Sequence, residues 1–321
     1  MMKRPLAVAT LALSLVGCGG GGSPSPSPSP SPVPAPTPSP TPTPSPAATI
    51  IENVTYRQGA TAAGSIPLQF DVYQPDAECA SPRPTIVFVH GGGFFTGSRR
   101  GANVDMIAQS ANLYGMNLVS ITYRLEGDDP LLSPAFAAMR DELAPLLPAT
   151  PPSIVNAAAA ASEDLVGALD FLVADGSTYC VDPERLALWG GSAGAFASLQ
   201  VAYGLDEFAI ARPEVGVVVN YWGGLFRDSD MDAGDVPFFT LHGTADATVP
   251  YQSALDLAAR ADAVGVPYSF YTVDGGGHGF GEVRPDLLTV DGLSVLDLTA
   301  QFVADHFGVD PPAYRTATIS P

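Results

Sequence analysis

One serine turn and four histidines carry most of the chemistry open to this 321-residue sequence. Ser192 lies in Gly190-Gly191-Ser192-Ala193-Gly194, after the apolar run Leu186, Ala187, Leu188, Trp189 and before an alanine-rich stretch with helical spacing (Phe196, Leu199, Val201). A strand that breaks at glycine and restarts as a helix holds the serine Oγ out at the strand's carboxyl end. A serine presented this way attacks an acyl carbon if it has an imidazole base, a carboxylate to orient that base, and N–H donors for the oxyanion. Of the histidines, His278 stands in Gly275-Gly276-Gly277-His278-Gly279-Phe280. Glycine on both sides suits a loop that must bring a ring beside Ser192. His242 reads as a strand-end residue and His306 as part of the last helix. His90 opens His90-Gly91-Gly92-Gly93-Phe94-Phe95, where the glycines let backbone N–H groups converge on one point. In a chain with 33 glycines, the serine turn alone also fits an ordinary strand-to-helix connection.

The elements that must position these groups follow from periodicity. Residues 49–58 and 66–76 alternate apolar and polar, as antiparallel strands at a sheet edge do. Residues 85–89 (TIVFV), 118–123 (LVSITY), 215–219 and 236–241 are continuous apolar runs suited to strands buried on both faces. Helices are expected over 103–114, 162–173, 251–264 and 295–307, with a strand at 268–273. In the second helix Ser162 is read as the cap and Glu163 and Asp164 as acids at the positive dipole end. Leu165, Leu169 and Leu172 form its apolar stripe. The 126–161 segment is longer than an ordinary connection. A helix is expected at 135–147, and the segment either walls the site or faces solvent.

His90-Gly91-Gly92-Gly93-Phe94, followed about a hundred residues later by Gly190-Gly191-Ser192-Ala193-Gly194, resembles the HGGG-type esterases and lipases of the α/β-hydrolase fold. Tyr123-Arg124-Leu125, the run His242-Gly243-Thr244-Ala245-Asp246-Ala247-Thr248-Val249-Pro250 and the glycine-flanked His278 match further motifs of that family. The resemblance covers residues 49–308. It implies a mostly parallel central sheet with helices on both faces, and a triad in the chain order Ser192, Asp246, His278. It also implies an oxyanion hole from the backbone N–H groups of Gly91, Gly92, Gly93 and Ala193, with His90 bracing the loop. Asp246 is preferred over Asp228, Asp230, Asp232 and Asp274 because it leaves a strand end inside the matching motif. The family's sheet places the segments after Cys79 and Cys180 side by side, which implies a Cys79–Cys180 disulfide at the end away from Ser192. Phe94, Phe95, Tyr221, Trp222 and Phe280, near motif ends, are candidates for the substrate pocket and equally for the core. Residues 228–232 begin like a calcium loop, but Ala233 and Phe239 break the pattern, so no metal is assigned. No cofactor is required.

The first residues carry a different signal. Lys3 and Arg4 precede an apolar stretch too short to span a bilayer, ending Leu15-Val16-Gly17-Cys18. This resembles a bacterial lipoprotein signal, cleaved after residue 17, with lipid on Cys18. Residues 18–48 are Gly-rich and then alternate Ser, Thr or Ala with Pro, an extended tether reaching roughly 90 Å at most. The organisation is then signal (1–17), tether (18–48), catalytic domain (49–310) and tail (311–321). The expected place is an exported lipoprotein of the outer membrane, cell surface or periplasm. A formal charge of −19 argues against nucleic acid as a partner. The resemblance favours hydrolysis of a carboxylic ester with a short acyl group, and a surface-tethered position suits acyl groups on polysaccharides or other extracellular esters. The alternatives are a peptidase on the same fold and a catalytically silent surface binding protein. The sequence leaves the oligomeric state open.

Overall fold

A computed structural model describes residues 49–76, 78–308 and 313–320. Residues 1–48, including Cys18, the expected lipid site, and the stretch read as a tether, lie outside them. Among the described residues the strands are β1 (Thr49–Thr61), β2 (Gly64–Gln74), β3 (Arg83–Val89), β4 (Asn117–Ile121), β5 (Val181–Gly191), β6 (Val217–Tyr221), β7 (Phe238–Gly243), β8 (Tyr268–Val273), β9 (Thr289–Val290), β10 (Leu293–Ser294) and β11 (Thr316–Ile319). The α-helices are α1 (Ala102–Leu113), α2 (Pro134–Leu143), α3 (Pro152–Asp175), α4 (Ala193–Leu199), α5 (Gln252–Val264), α6 (Phe280–Val283) and α7 (Val295–His306).

Nine of these strands form one sheet in the order β1-β2-β4-β3-β5-β6-β7-β8-β11. The β1–β2 hairpin and the β2–β4 pair are antiparallel, and every pair from β4 to β11 is parallel. The continuous apolar runs are the parallel strands, whose two faces are both covered. Alternation along them divides the core: Val87, Val89, Leu186 and Leu188 join one cluster, and Ile86, Phe88, Ala187 and Trp189 join the other. The first cluster packs residues of α2, α3, α4 and α5; the second packs α1 and α7. Helices therefore lie on both faces.

Two elements differ from the sequence reading. Helix α3 starts at Pro152, ten residues before Ser162. Proline at the first turn and the alanine run Ala157–Ala161 favour helix throughout. Ser162 sits mid-helix, with its hydroxyl donating back to Ala158 O at 3.2 Å. Glu163 and Asp164 are then not dipole partners. They clamp the fully buried Arg124, whose Nη2 lies 2.7 Å from Glu163 Oε2 and 2.7 Å from Asp164 Oδ1. Arg57 closes the network, 3.2 Å from Glu163. The second difference is at the C-terminus, where Thr316–Ile319, read as tail, pairs with Phe270–Val273 and extends the sheet. Within the 126–161 segment only α2 and the start of α3 are α-helical, and none of its residues lines the cleft around Ser192.

Cys79 and Cys180 are disulfide-bonded, just before β3 and β5, and Arg83 N–H donates to Cys180 O at 2.9 Å beside the bridge. The pairing expected from the resemblance is present.

Candidate active site

The serine turn forms because nothing larger than hydrogen fits at its two corners. A Cβ on Gly190 would lie 2.2 Å from Gly194 O, and one on Gly194 would lie 1.9 Å from Val89 O. Between them Ser192 adopts φ 53° and ψ −123°, with its N–H donating to Tyr221 O at 2.9 Å. That conformation lifts Oγ above the end of β5, at the first turn of α4.

The loop after β8 delivers His278. Its Nε2 is 2.9 Å from Ser192 Oγ and its Nδ1 is 2.7 Å from Asp246 Oδ2. Asp246 follows β7, where its Oδ1 accepts from the N–H groups of Thr248 at 2.8 Å and Val249 at 2.9 Å. Burial opposes ionisation of Asp246, but the hydrogen bonds from His278, Val249 and Thr248 outweigh it and hold the carboxyl below its ordinary value. An ionised Asp246 fixes the proton of neutral His278 on Nδ1, leaving the Nε2 lone pair toward Ser192. Three of the four other acids weighed as competitors are engaged elsewhere. Asp230 pairs with Arg227, Asp232 with Arg260, and Asp274 meets Thr244 Oγ1 at 3.4 Å.

The glycine loop closes the opposite side. Gly92 takes φ 118°, and a Cβ there would sit 2.0 Å from Thr96 O. Among the described residues no acceptor takes up the backbone N–H groups of Gly91, Gly92, Gly93 or Ala193. His90 is buried at the loop's base, its Nδ1 2.8 Å from Gly91 O and its ring stacked on Tyr123 at 4.3 Å.

Ser192 and His278 open on a cleft of about 710 Å³. Phe95, Trp222 and Phe280 line it, as the sequence reading allowed, together with Phe88, Arg100 and the first residues of α1. Phe94 and Tyr221 do not. Phe94 is buried under the loop, edge-on to Tyr123 at 6.4 Å. Tyr221 is fully buried between Trp189 and Phe239, its hydroxyl 2.7 Å from Thr299 Oγ1 of α7. Both are core residues.

A sequence profile of the prolyl oligopeptidase family matches residues 156–230 and 226–291. The non-reducing polyketide synthase pkbA of Emericella nidulans is 30 % identical over 166 residues, 52 % of this chain, which spans only 6 % of that protein's length. Among solved structures, Thermogutta terrifontis esterase 2 phosphorylated by paraoxon aligns with a TM-score of 0.59 at 21 % identity, covering 83 % of this chain and 96 % of that one. A truncated carbohydrate esterase from gut microbiota gives 0.57 at 16 %, covering 80 % and 96 %. MGS-M1, an alpha/beta hydrolase from a Medee basin deep-sea metagenome library, gives 0.54 at 19 %, covering 81 % and 98 %. This chain has the α/β-hydrolase fold.

In this hydrolase fold the turn after β5, the acid after β7 and the histidine after β8 all leave carboxyl ends of parallel strands, where loops from separate strands converge. Two contributors escaped the sequence reading. His242 lies in β7 as read, yet its Nε2 stands 3.0 Å from Val249 O and 3.3 Å from Asp246 Oδ2. A carbonyl only accepts, so Nε2 carries the proton, and burial pushes the His242 pKa down, keeping the ring neutral. His242 thus presents a second N–H to the oxygen that His278 uses. The four-residue spacing from Asp246 was visible, but not the bend that folds the loop back. The other contributor is the start of α1 with Arg100, which walls the cleft although the nearest motif ends at Phe95.

Proposed function

We propose that this chain is a serine hydrolase that cleaves carboxylic esters through an acyl-enzyme. The observation carrying this reading is the continuous hydrogen-bonded line from Ser192 through His278 to Asp246, opening on a cleft beside backbone amides that have no protein acceptor among the described residues. His278 Nε2 takes the proton as Ser192 Oγ attacks the ester carbonyl carbon. The negative oxygen that results is stabilised by N–H groups of Gly91, Gly92, Gly93 and Ala193. Collapse expels the alcohol, which receives its proton from His278. Water, deprotonated by the same ring, then attacks the acyl-serine, and the carboxylic acid leaves with Ser192 restored. The chemistry needs no cofactor.

The apolar, aromatic part of the cleft favours esters of short acyl groups, free or carried on a polysaccharide. A peptidase is the second reading, supported by the prolyl oligopeptidase profile. Purified protein is expected to turn over p-nitrophenyl acetate and butyrate and to bind one fluorophosphonate at Ser192. Labelling with cleavage of peptide anilides but no esters would favour the peptidase; neither labelling nor turnover would leave a silent binding protein.

We also propose that lipid on Cys18 and the Pro-rich tether hold the domain at an outer membrane or cell surface. Labelled palmitate should be incorporated into the intact chain and absent from Cys18→Ser; label retained in that variant would overturn the anchor.

A further inference from the structure

We propose that the Tyr123 hydroxyl is a positioning group for the oxyanion donors, holding the peptide plane that contains the N–H of Gly91. The proposal rests on the ester-hydrolase reading above. In a trans peptide the C=O and N–H of one plane point in opposite directions, so fixing the carbonyl aims the amide. Three successive planes of the glycine loop are fixed this way. Tyr123 Oη donates to His90 O at 2.8 Å. His90 Nδ1 donates to Gly91 O at 2.8 Å. Gly92 O accepts from Phe95 N–H at 3.2 Å and Thr96 N–H at 3.0 Å. The amides on the far sides of these planes belong to Gly91, Gly92 and Gly93, none of which has a protein acceptor among the described residues.

Tyr123 acts on two of the three. Its hydroxyl sets the first plane directly, and its ring, stacked on His90 at 4.3 Å and 21°, holds the imidazole that sets the second. Because Gly91 O can only accept, His90 carries its proton on Nδ1; burial pushes the His90 pKa down and keeps that tautomer neutral. Tyr123 is itself held firmly. Arg124, the next residue, is locked by Asp164 through its backbone N–H at 2.8 Å and its guanidinium. Two residues further on, Glu126 N–H donates to Phe94 O at 2.8 Å and ties down the far end of the loop. The stretch 123–126 therefore grips the glycine loop at both ends. The ion-pair network under it is the foundation of that grip.

Tyr56 provides an internal control. Its hydroxyl also donates to a backbone carbonyl, Thr122 O, at 2.6 Å, and it is similarly buried, but that carbonyl lies outside the glycine loop. Tyr123→Phe and Tyr56→Phe each delete one such bond while keeping the ring. With rates expressed per fluorophosphonate-titrated site, so that any unfolded fraction drops out, Tyr123→Phe is expected to lower kcat on p-nitrophenyl butyrate roughly ten- to a hundredfold, less than or equal to the loss of a whole oxyanion donor. KM should stay unchanged, and inhibition by a trifluoromethyl ketone, whose adduct places an oxyanion against the loop, should weaken by the same factor. Tyr56→Phe should lower thermal stability comparably and leave kcat and the ketone unchanged. An unaltered kcat in Tyr123→Phe, a loss shared equally by Tyr56→Phe, or ketone affinity that does not follow kcat would overturn the positioning role while leaving ester hydrolysis standing. Wild-type protein inactive on every ester would overturn both.

Discussion

Ser192→Ala is expected to lower kcat for p-nitrophenyl butyrate by about a millionfold, on the order of 8 kcal/mol of transition-state stabilisation. The size follows from the arrangement. Without Oγ there is no covalent intermediate, and His278, 2.9 Å away, has no hydroxyl to deprotonate. The oxyanion donors and the cleft remain, so a residual rate about 10³–10⁴ above uncatalysed hydrolysis is expected, from water attacking a bound ester. Folding should be nearly untouched, since among the described residues the Ser192 side chain hydrogen-bonds to His278 alone. Steady-state rates and a thermal melt on the same preparation check both halves. A variant that keeps more than about a tenth of wild-type activity would move the nucleophile elsewhere.

Opening the Cys79–Cys180 bridge should have the largest effect on stability and almost none on chemistry. The cysteines are separated by 101 residues, and in the chain-entropy model a loop of that length contributes about 4.7 kcal/mol by restricting the unfolded chain. For a domain of this size the Cys79→Ala, Cys180→Ala double variant should melt roughly 10–15 °C lower. The bridge precedes β5 while Ser192 follows it, and eleven strand residues put roughly 30 Å between them. Well below the melting temperature kcat should therefore match wild type. A double variant that melts with the wild type, or that loses activity while still folded, would contradict this separation of roles.

Much of the site was legible because its requirements are local. Glycine at 190 and 194, strand-ending motifs and chain order are properties of short windows, and these suffice to single out Ser192, Asp246 and His278. The misreadings share a different origin. Ser162-Glu163-Asp164 looks like a helix start because a capping hydroxyl and two acids fit one. Only Arg124, from the segment after β4, and Arg57, from β1, show that these acids are buried ion-pair partners. Phe94 and Tyr221 sit beside motif glycines just as Phe95 and Trp222 do, and their neighbours in space, Tyr123 and Thr299, lie about 30 and 80 residues away. Which aromatic faces the cleft is decided by tertiary packing, and adjacency in sequence carries no trace of it. The strand Thr316–Ile319 is short, and its pairing with β8 is what makes it a strand.

The left-handed backbone of Ser192 sets stability against function at a single position. A non-glycine residue held there costs on the order of 1–3 kcal/mol, which glycine would recover. A library screened for heat resistance alone would therefore enrich Ser192→Gly, a fold more robust than its parent and chemically inert. Evolution toward ruggedness in this scaffold has to be steered by turnover at every round, because one of its positive-φ positions is the proposed nucleophile.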